Sequence, residues 1–156
     1  MLEKLKEIGY LVTGIVLLAA VISLPVVFIM GSLWASENIL PPLVSVGWVV
    51  LGMNLVIFLP LSLFKRLRAF SGGAMYLSSL VFGLIAWLFG FILTYSIWGL
   101  GAVILGMIFL GGGVVPIAML ATAINGYWEP FFIVFVVAVL AISTRMFGMH
   151  MMEISE

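Results

Sequence analysis

The sequence has no cysteine, no aspartate and one histidine. The absence of cysteine excludes disulfides, thiolate metal sites and cysteine nucleophiles. The single histidine, His150, follows the last apolar run and has no companions of the kind that a zinc or haem site needs. We therefore expect the protein to hold no metal ion and no cofactor.

Charge is equally scarce, since six Lys and Arg balance six acidic residues and only 8% of the chain is charged. A soluble domain carries about 25% charged and about 45–50% apolar residues, whereas 65% of this chain is hydrophobic and its mean hydropathy is +1.41. No basic surplus is present to bind nucleic acid. The composition excludes a soluble enzyme and a disordered tail, and it predicts a polytopic membrane protein.

Five long apolar runs predict an all-α helical bundle in a single transmembrane domain over residues 1–156. About 20 helical residues cross a hydrocarbon core of roughly 30 Å. The fifth run contains Arg145 near its end, but an arginine at this position can snorkel towards the headgroups at modest cost, so we expect this run to cross as well. Four crossings with a re-entrant or interfacial C-terminal segment are the alternative. The five predicted helices cover residues 10–33, 43–64, 74–97, 100–124 and 130–147.

The positive charges predict the orientation. Short cytoplasmic loops carry an excess of Lys and Arg, so a cytoplasmic N-terminus in a plasma or bacterial inner membrane fits the sequence. With five crossings Arg145 alone falls on the opposite side, whereas in the alternative all six cations are cytoplasmic. The cluster after the second run either fixes the topology or attracts anionic lipid headgroups. Five cations are cytoplasmic in both arrangements: Lys4, Lys6, Lys65, Arg66 and Arg68.

Two features interrupt the apolar runs. Asn54 lies in the middle of the second run, where its amide either bonds to a neighbouring helix or contacts an ion or substrate. The fourth run contains three consecutive glycines, each of which costs a helix roughly 1 kcal/mol relative to alanine. This segment is either a kinked helix that packs closely or an unwound helix beside a polar path. Its residues are Gly111, Gly112, Gly113 and Pro116.

Small residues recur at four-residue spacing in the third and fourth runs. Such faces allow helix backbones to approach closely and are a common association device in membranes. We expect them to pack helices against one another. The residues concerned are Gly83, Ala86, Gly90, Ala102 and Gly106.

The apolar runs contain no His, Asp or Glu that accepts a proton near neutral pH, so the sequence argues against an enzyme. We expect a structural or interaction subunit of a membrane assembly, in contact with lipids and with other copies of itself or other membrane proteins. An oligomeric channel or transporter component is the alternative. In it, Asn54 and the segment Gly111–Pro116 line the path.

Overall fold

The computed structural model describes residues 2–108 and 112–154, and these residues form helices and turns without any strand. The helical class predicted from the sequence is confirmed. The elements are α1 (Leu2–Asn38), α2 (Leu40–Met53), a π-helical turn (Asn54–Phe58), α3 (Leu59–Leu61), a 3₁₀ turn (Lys65–Leu67), α4 (Arg68–Ile108), α5 (Val114–Ile124) and α6 (Trp128–Glu153).

The chain divides into two compact units, residues 1–34 and residues 35–156. The first unit contains α1 up to residue 34 and thus includes the predicted run 10–33. The last residues of α1, up to Asn38, belong to the second unit. The second unit contains the remaining helices and every feature discussed below.

Three described stretches are long and apolar enough to cross a membrane: Leu40–Leu61, Lys65–Ile108 and Trp128–Glu153. The helix Val114–Ile124 is also apolar, but its 11 residues extend only about 17 Å. These helices are compatible with a membrane protein. They do not confirm the predicted number of five crossings.

The second predicted run is not one regular helix. Proline residues at the start of α2 fit because first-turn positions need no N–H donor. Later in the run, Pro60 has no N–H and disturbs the helix before it. The five residues Asn54–Phe58 form a π turn in which the N–H of Leu59 donates to the carbonyl of Asn54. The predicted range 43–64 is therefore replaced by α2, the π turn and α3, which end at Leu61.

The third and fourth runs are divided differently from the prediction. α4 includes the third run and continues to Ile108, but Gly99 within it has φ 74° and ψ −165°. This conformation is essentially restricted to glycine and breaks the helix at the predicted boundary between the two runs. The fourth run, predicted as one helix over 100–124, consists of the end of α4 and the separate helix α5.

A short glycine-containing turn joins α5 to α6. The N–H of Tyr127 donates to the carbonyl of Thr122, and the N–H of Gly126 donates to that of Ala123. With Gly126 at φ 76°, this is a Schellman motif, which pairs carbonyls that the helix end leaves free. Then α6 runs to Glu153, beyond the predicted end at residue 147.

Candidate functional site

The glycine segment of the fourth run is an exposed turn between two short helices. Gly112 is exposed, Gly113 is half-buried and Pro116 is exposed, whereas Val114 at the start of α5 is fully buried. Gly113 is the N-cap of α5 and supplies no side chain to the free N–H groups there. Gly111, which the sequence also assigned to this feature, lies outside the described residues.

The start of α5 packs tightly against two parts of α4. A methyl group added to Gly106 would lie 3.2 Å from the Val114 Cα, and one added to Gly90 would lie 3.4 Å from the Val115 Cα. The Thr94 hydroxyl donates to the Val114 carbonyl over 3.5 Å. The backbone at the glycine turn is thus held by α4, while the turn itself faces outward.

These contacts show what the predicted small-residue positions do. Gly90 and Gly106 are covered by α5 of the same chain, so they serve internal packing. Ala86 and Ala102 are also buried. A methyl group on Gly83, in contrast, would meet no described atom within 4 Å.

Asn54 is buried, with only 2% of its surface exposed. Neither its amide nitrogen nor its amide oxygen has a hydrogen-bond partner among the described residues. An unpaired buried polar group costs about 1–3 kcal/mol. Asn54 opens the π turn, and such turns occur frequently at functional sites. It is therefore the most unusual polar side chain in the part of the chain that the structure describes.

The structure does not bring Asn54 and the glycine turn together. The neighbouring Met53 lines a cavity of about 270 Å³ with Ser78 of α4, whereas Val114 and Val115, directly after the glycine turn, pack beside Gly90. From residue 78 to residue 90, α4 rises about 18 Å. The two features that the sequence assigned to one path thus lie at different depths of the bundle.

Two helix backbones approach each other closely at Gly72 and Gly148, a pair that was not predicted from the sequence. A methyl group on Gly148 of α6 would lie 2.7 Å from the Gly72 carbonyl oxygen and 2.8 Å from the Tyr76 nitrogen. The two backbones are therefore in direct contact. Thr144 and Gly148 are small residues four positions apart at the end of the fifth run. This spacing is typical of a helix-packing face, so it is the sequence signal for this contact.

Positive charge is concentrated at the same end of the second unit. Lys65 and Arg66 form the 3₁₀ turn, and Arg68 begins α4 and donates from Nε to the Ser62 carbonyl over 3.1 Å. The Arg145 guanidinium lies 5.6 Å from the centre of the Tyr76 ring, a cation–π contact. Since Tyr76 is about two turns from Arg68, Arg145 lies near the same end of α4 as this cluster.

A groove of about 580 Å³ lies between α2, α4 and α6. Its described lining is entirely apolar and includes Trp48, Phe89 and Phe132. The groove offers van der Waals contacts and no group for acid–base chemistry. Within the described residues, no group of three or more His, Cys, Asp or Glu is placed to hold a metal ion.

Comparison of the chain with protein-family models, with curated proteins and with solved structures found no match. Function is therefore inferred from the residues and their geometry.

Proposed function

We propose that the protein is a structural or interaction subunit of a membrane assembly and acts through contacts rather than catalysis. The observation that supports this proposal is the glycine turn at residues 112–113, in which Gly112 is exposed and Gly113 is half-buried. Lipid tails offer no hydrogen-bond partner, so irregular backbone inside a membrane persists only where protein or water covers it. A neighbouring membrane protein or a second copy of this chain would supply that cover.

The position of the turn supports the same conclusion. Trp98 and Trp128 lie at one end of the bundle, where aromatic residues mark the membrane interface. Val114 and Val115, which directly follow the turn, pack beside Gly90, eight residues or about 12 Å along α4 from Trp98. The backbone that follows the turn thus lies inward of Trp98 along α4.

Purification in mild detergent, followed by native mass spectrometry, tests this function. We expect the mass spectrum to show the wild-type chain as an oligomer or in a complex with a stoichiometric foreign subunit. Gly112→Leu, which adds a bulky group to the exposed turn, should dissociate this complex. Gly52→Leu is the matched control, because Gly52 is exposed on α2 and a methyl group there would meet no described atom within 4 Å.

A monomeric wild-type chain in both detergent and native nanodiscs would refute the proposal. So would a complex that survives Gly112→Leu in a variant that melts at the wild-type temperature. The melting measurement separates loss of the contact from loss of the fold.

We further propose that the end carrying Lys65, Arg66 and Arg68 faces the cytoplasm of a plasma or bacterial inner membrane. The positive-inside tendency supports this orientation. Each cation near an anionic leaflet contributes about 1 kcal/mol to headgroup binding. Anionic phospholipid is therefore a second contact of this end of the protein.

A channel or transporter component is the second candidate, and the unpaired amide of Asn54 favours it. A polar group at this depth is typical of ion and substrate pathways. Proteoliposomes that contain the purified chain should then show solute flux, and Asn54→Leu should abolish it. Absence of flux in the wild type would leave the structural role as the better account.

A further inference from the structure

Helices α4 and α6 run in opposite directions, and the register between them can be read from two contacts. Gly148 of α6 contacts Gly72, and Arg145 lies over Tyr76. Thus, as the numbering rises along α4, it falls along α6. The C-terminal end of α6 lies beside the N-terminal end of α4.

The other end of the pair follows the same register. Phe89 of α4 and Phe132 of α6 line the same groove. Trp128, where α6 begins, therefore lies towards the Gly99 end of α4. The chain leaves the long part of α4 at Gly99 and enters α6 at Trp128, and both points are at one end of the bundle.

A segment that crosses the membrane once would end at the opposite face. Residues 100–124 connect two points on the same face, so they do not cross once. Their two helices are also too short, because residues 100–108 rise about 14 Å and α5 rises about 17 Å, compared with a hydrocarbon core of roughly 30 Å. The chain must turn back between them.

The glycine turn is the place where it turns back. Gly106 and Val114 are in contact although they are eight residues apart, a separation of about 12 Å in a continuous helix. Residues 109–111 lie outside the description, and Gly112 and Gly113 form the turn that leads into α5. Because Gly106 has no side chain, the two arms meet there at close range.

We infer that residues 100–124 form a re-entrant hairpin, which enters and leaves the membrane at the face marked by Trp98 and Trp128. In residues 35–156 the chain then crosses three times, through α2 with α3, through α4 up to Gly99, and through α6. The C-terminal end of α6 lies on the same side as Lys65. This arrangement also gathers four cations on one side, in line with the positive-inside tendency: Lys65, Arg66, Arg68 and Arg145.

Single-cysteine labelling tests the hairpin directly, since the wild-type chain contains no cysteine. Leu63→Cys and Leu100→Cys define the two faces, and Tyr127→Cys and Ile154→Cys report the positions in question. All four side chains are exposed, at 74%, 48%, 54% and 50% respectively, so the substitutions leave the packed interior unchanged. The variants are expressed in cells, and sealed vesicles are prepared from them. The vesicles are treated with a membrane-impermeant maleimide, under conditions in which the two reference positions label from opposite faces.

A re-entrant hairpin requires Ile154→Cys to label from the same face as Leu63→Cys, and Tyr127→Cys from the same face as Leu100→Cys. We expect the accessible positions to label at least fivefold faster than the protected ones. A single crossing by residues 100–124 gives the reverse pairing, which would overturn the inference. Protease protection of an epitope tag after Glu156 gives an independent reading of the C-terminal side, and this result does not depend on whether the protein binds a partner.

Discussion

Replacement of Gly148 by alanine should destabilise the bundle, because the added methyl group has no space against α4. The new carbon would lie 2.7 Å from the Gly72 carbonyl oxygen, whereas ordinary contact begins at 3.4 Å. The atoms in its way belong to the backbone of α4, so no side chain can rotate aside. The two helices must separate by about 0.7 Å, a gap that removes a quarter to a half of the dispersion energy of each affected contact.

Overpacking of this kind costs about 1–3 kcal/mol, which exceeds the gain of roughly 1 kcal/mol from replacing glycine in a helix. We expect Gly148→Ala to lower the free energy of unfolding by up to about 2 kcal/mol in mixed-micelle denaturation. Gly73→Ala is the control, because a methyl group there meets no described atom within 4 Å, and it should be neutral or stabilising. Equal stability of the two variants would refute the close helix contact.

Three further predictions use the same purified protein. Gly99→Ala should lower the free energy of unfolding by about 1–3 kcal/mol, because the φ of 74° and ψ of −165° at this position form a conformation that glycine adopts and alanine avoids. Gly101→Ala is the control, since a methyl group there meets no described atom within 4 Å, and it should not lower the free energy of unfolding. Asn54→Leu should raise the free energy of unfolding by about 1–3 kcal/mol, since it removes two unpaired buried groups; a loss of stability would show that the amide has a bound partner. Substitution of glutamine for the cations of residues 65–68 should weaken retention of anionic phospholipid about fivefold per charge in native mass spectrometry, with zwitterionic lipid unaffected.

The sequence predicted the features that depend on local chemistry. Apolar composition indicated a helical membrane protein, and the shortage of charge left no other class. The boundary at Trp98 and Gly99 was also predictable, because a glycine there separates two apolar runs, and the structure breaks the helix at this residue. The glycines before Val114 indicated a kinked or unwound point within one predicted helix over residues 100–124, whereas the structure has a turn there that separates α4 from α5.

The direction of the chain after the interruption was not predictable from the same pattern. Two short apolar helices joined by glycines have the same composition whether they continue across the membrane or fold back. The contacts that distinguish these cases, such as Gly72 with Gly148, join residues that are far apart in the sequence. The placement of Arg145 was not predictable for the same reason. The sequence gives only the number of crossings before Arg145, whereas its contact with Tyr76 depends on the register of α6 against α4.

The glycine positions explain how a chain with so few polar contacts holds its helices together. Lipid tails are as apolar as the helices, so close van der Waals packing takes the place of the hydrophobic effect. Helices α2, α5 and α6 each approach α4 at a glycine. α2 approaches through Gly47, where a methyl group would lie 2.6 Å from an Ile85 methyl carbon; α5 meets Gly90; and α6 meets Gly72 through Gly148. Because Gly83 meets no described atom within 4 Å, a larger residue at Gly83 is compatible with the fold of one chain. If leucine at that position preserved the monomer but prevented assembly, the open face of α4 would be identified as a contact with a partner.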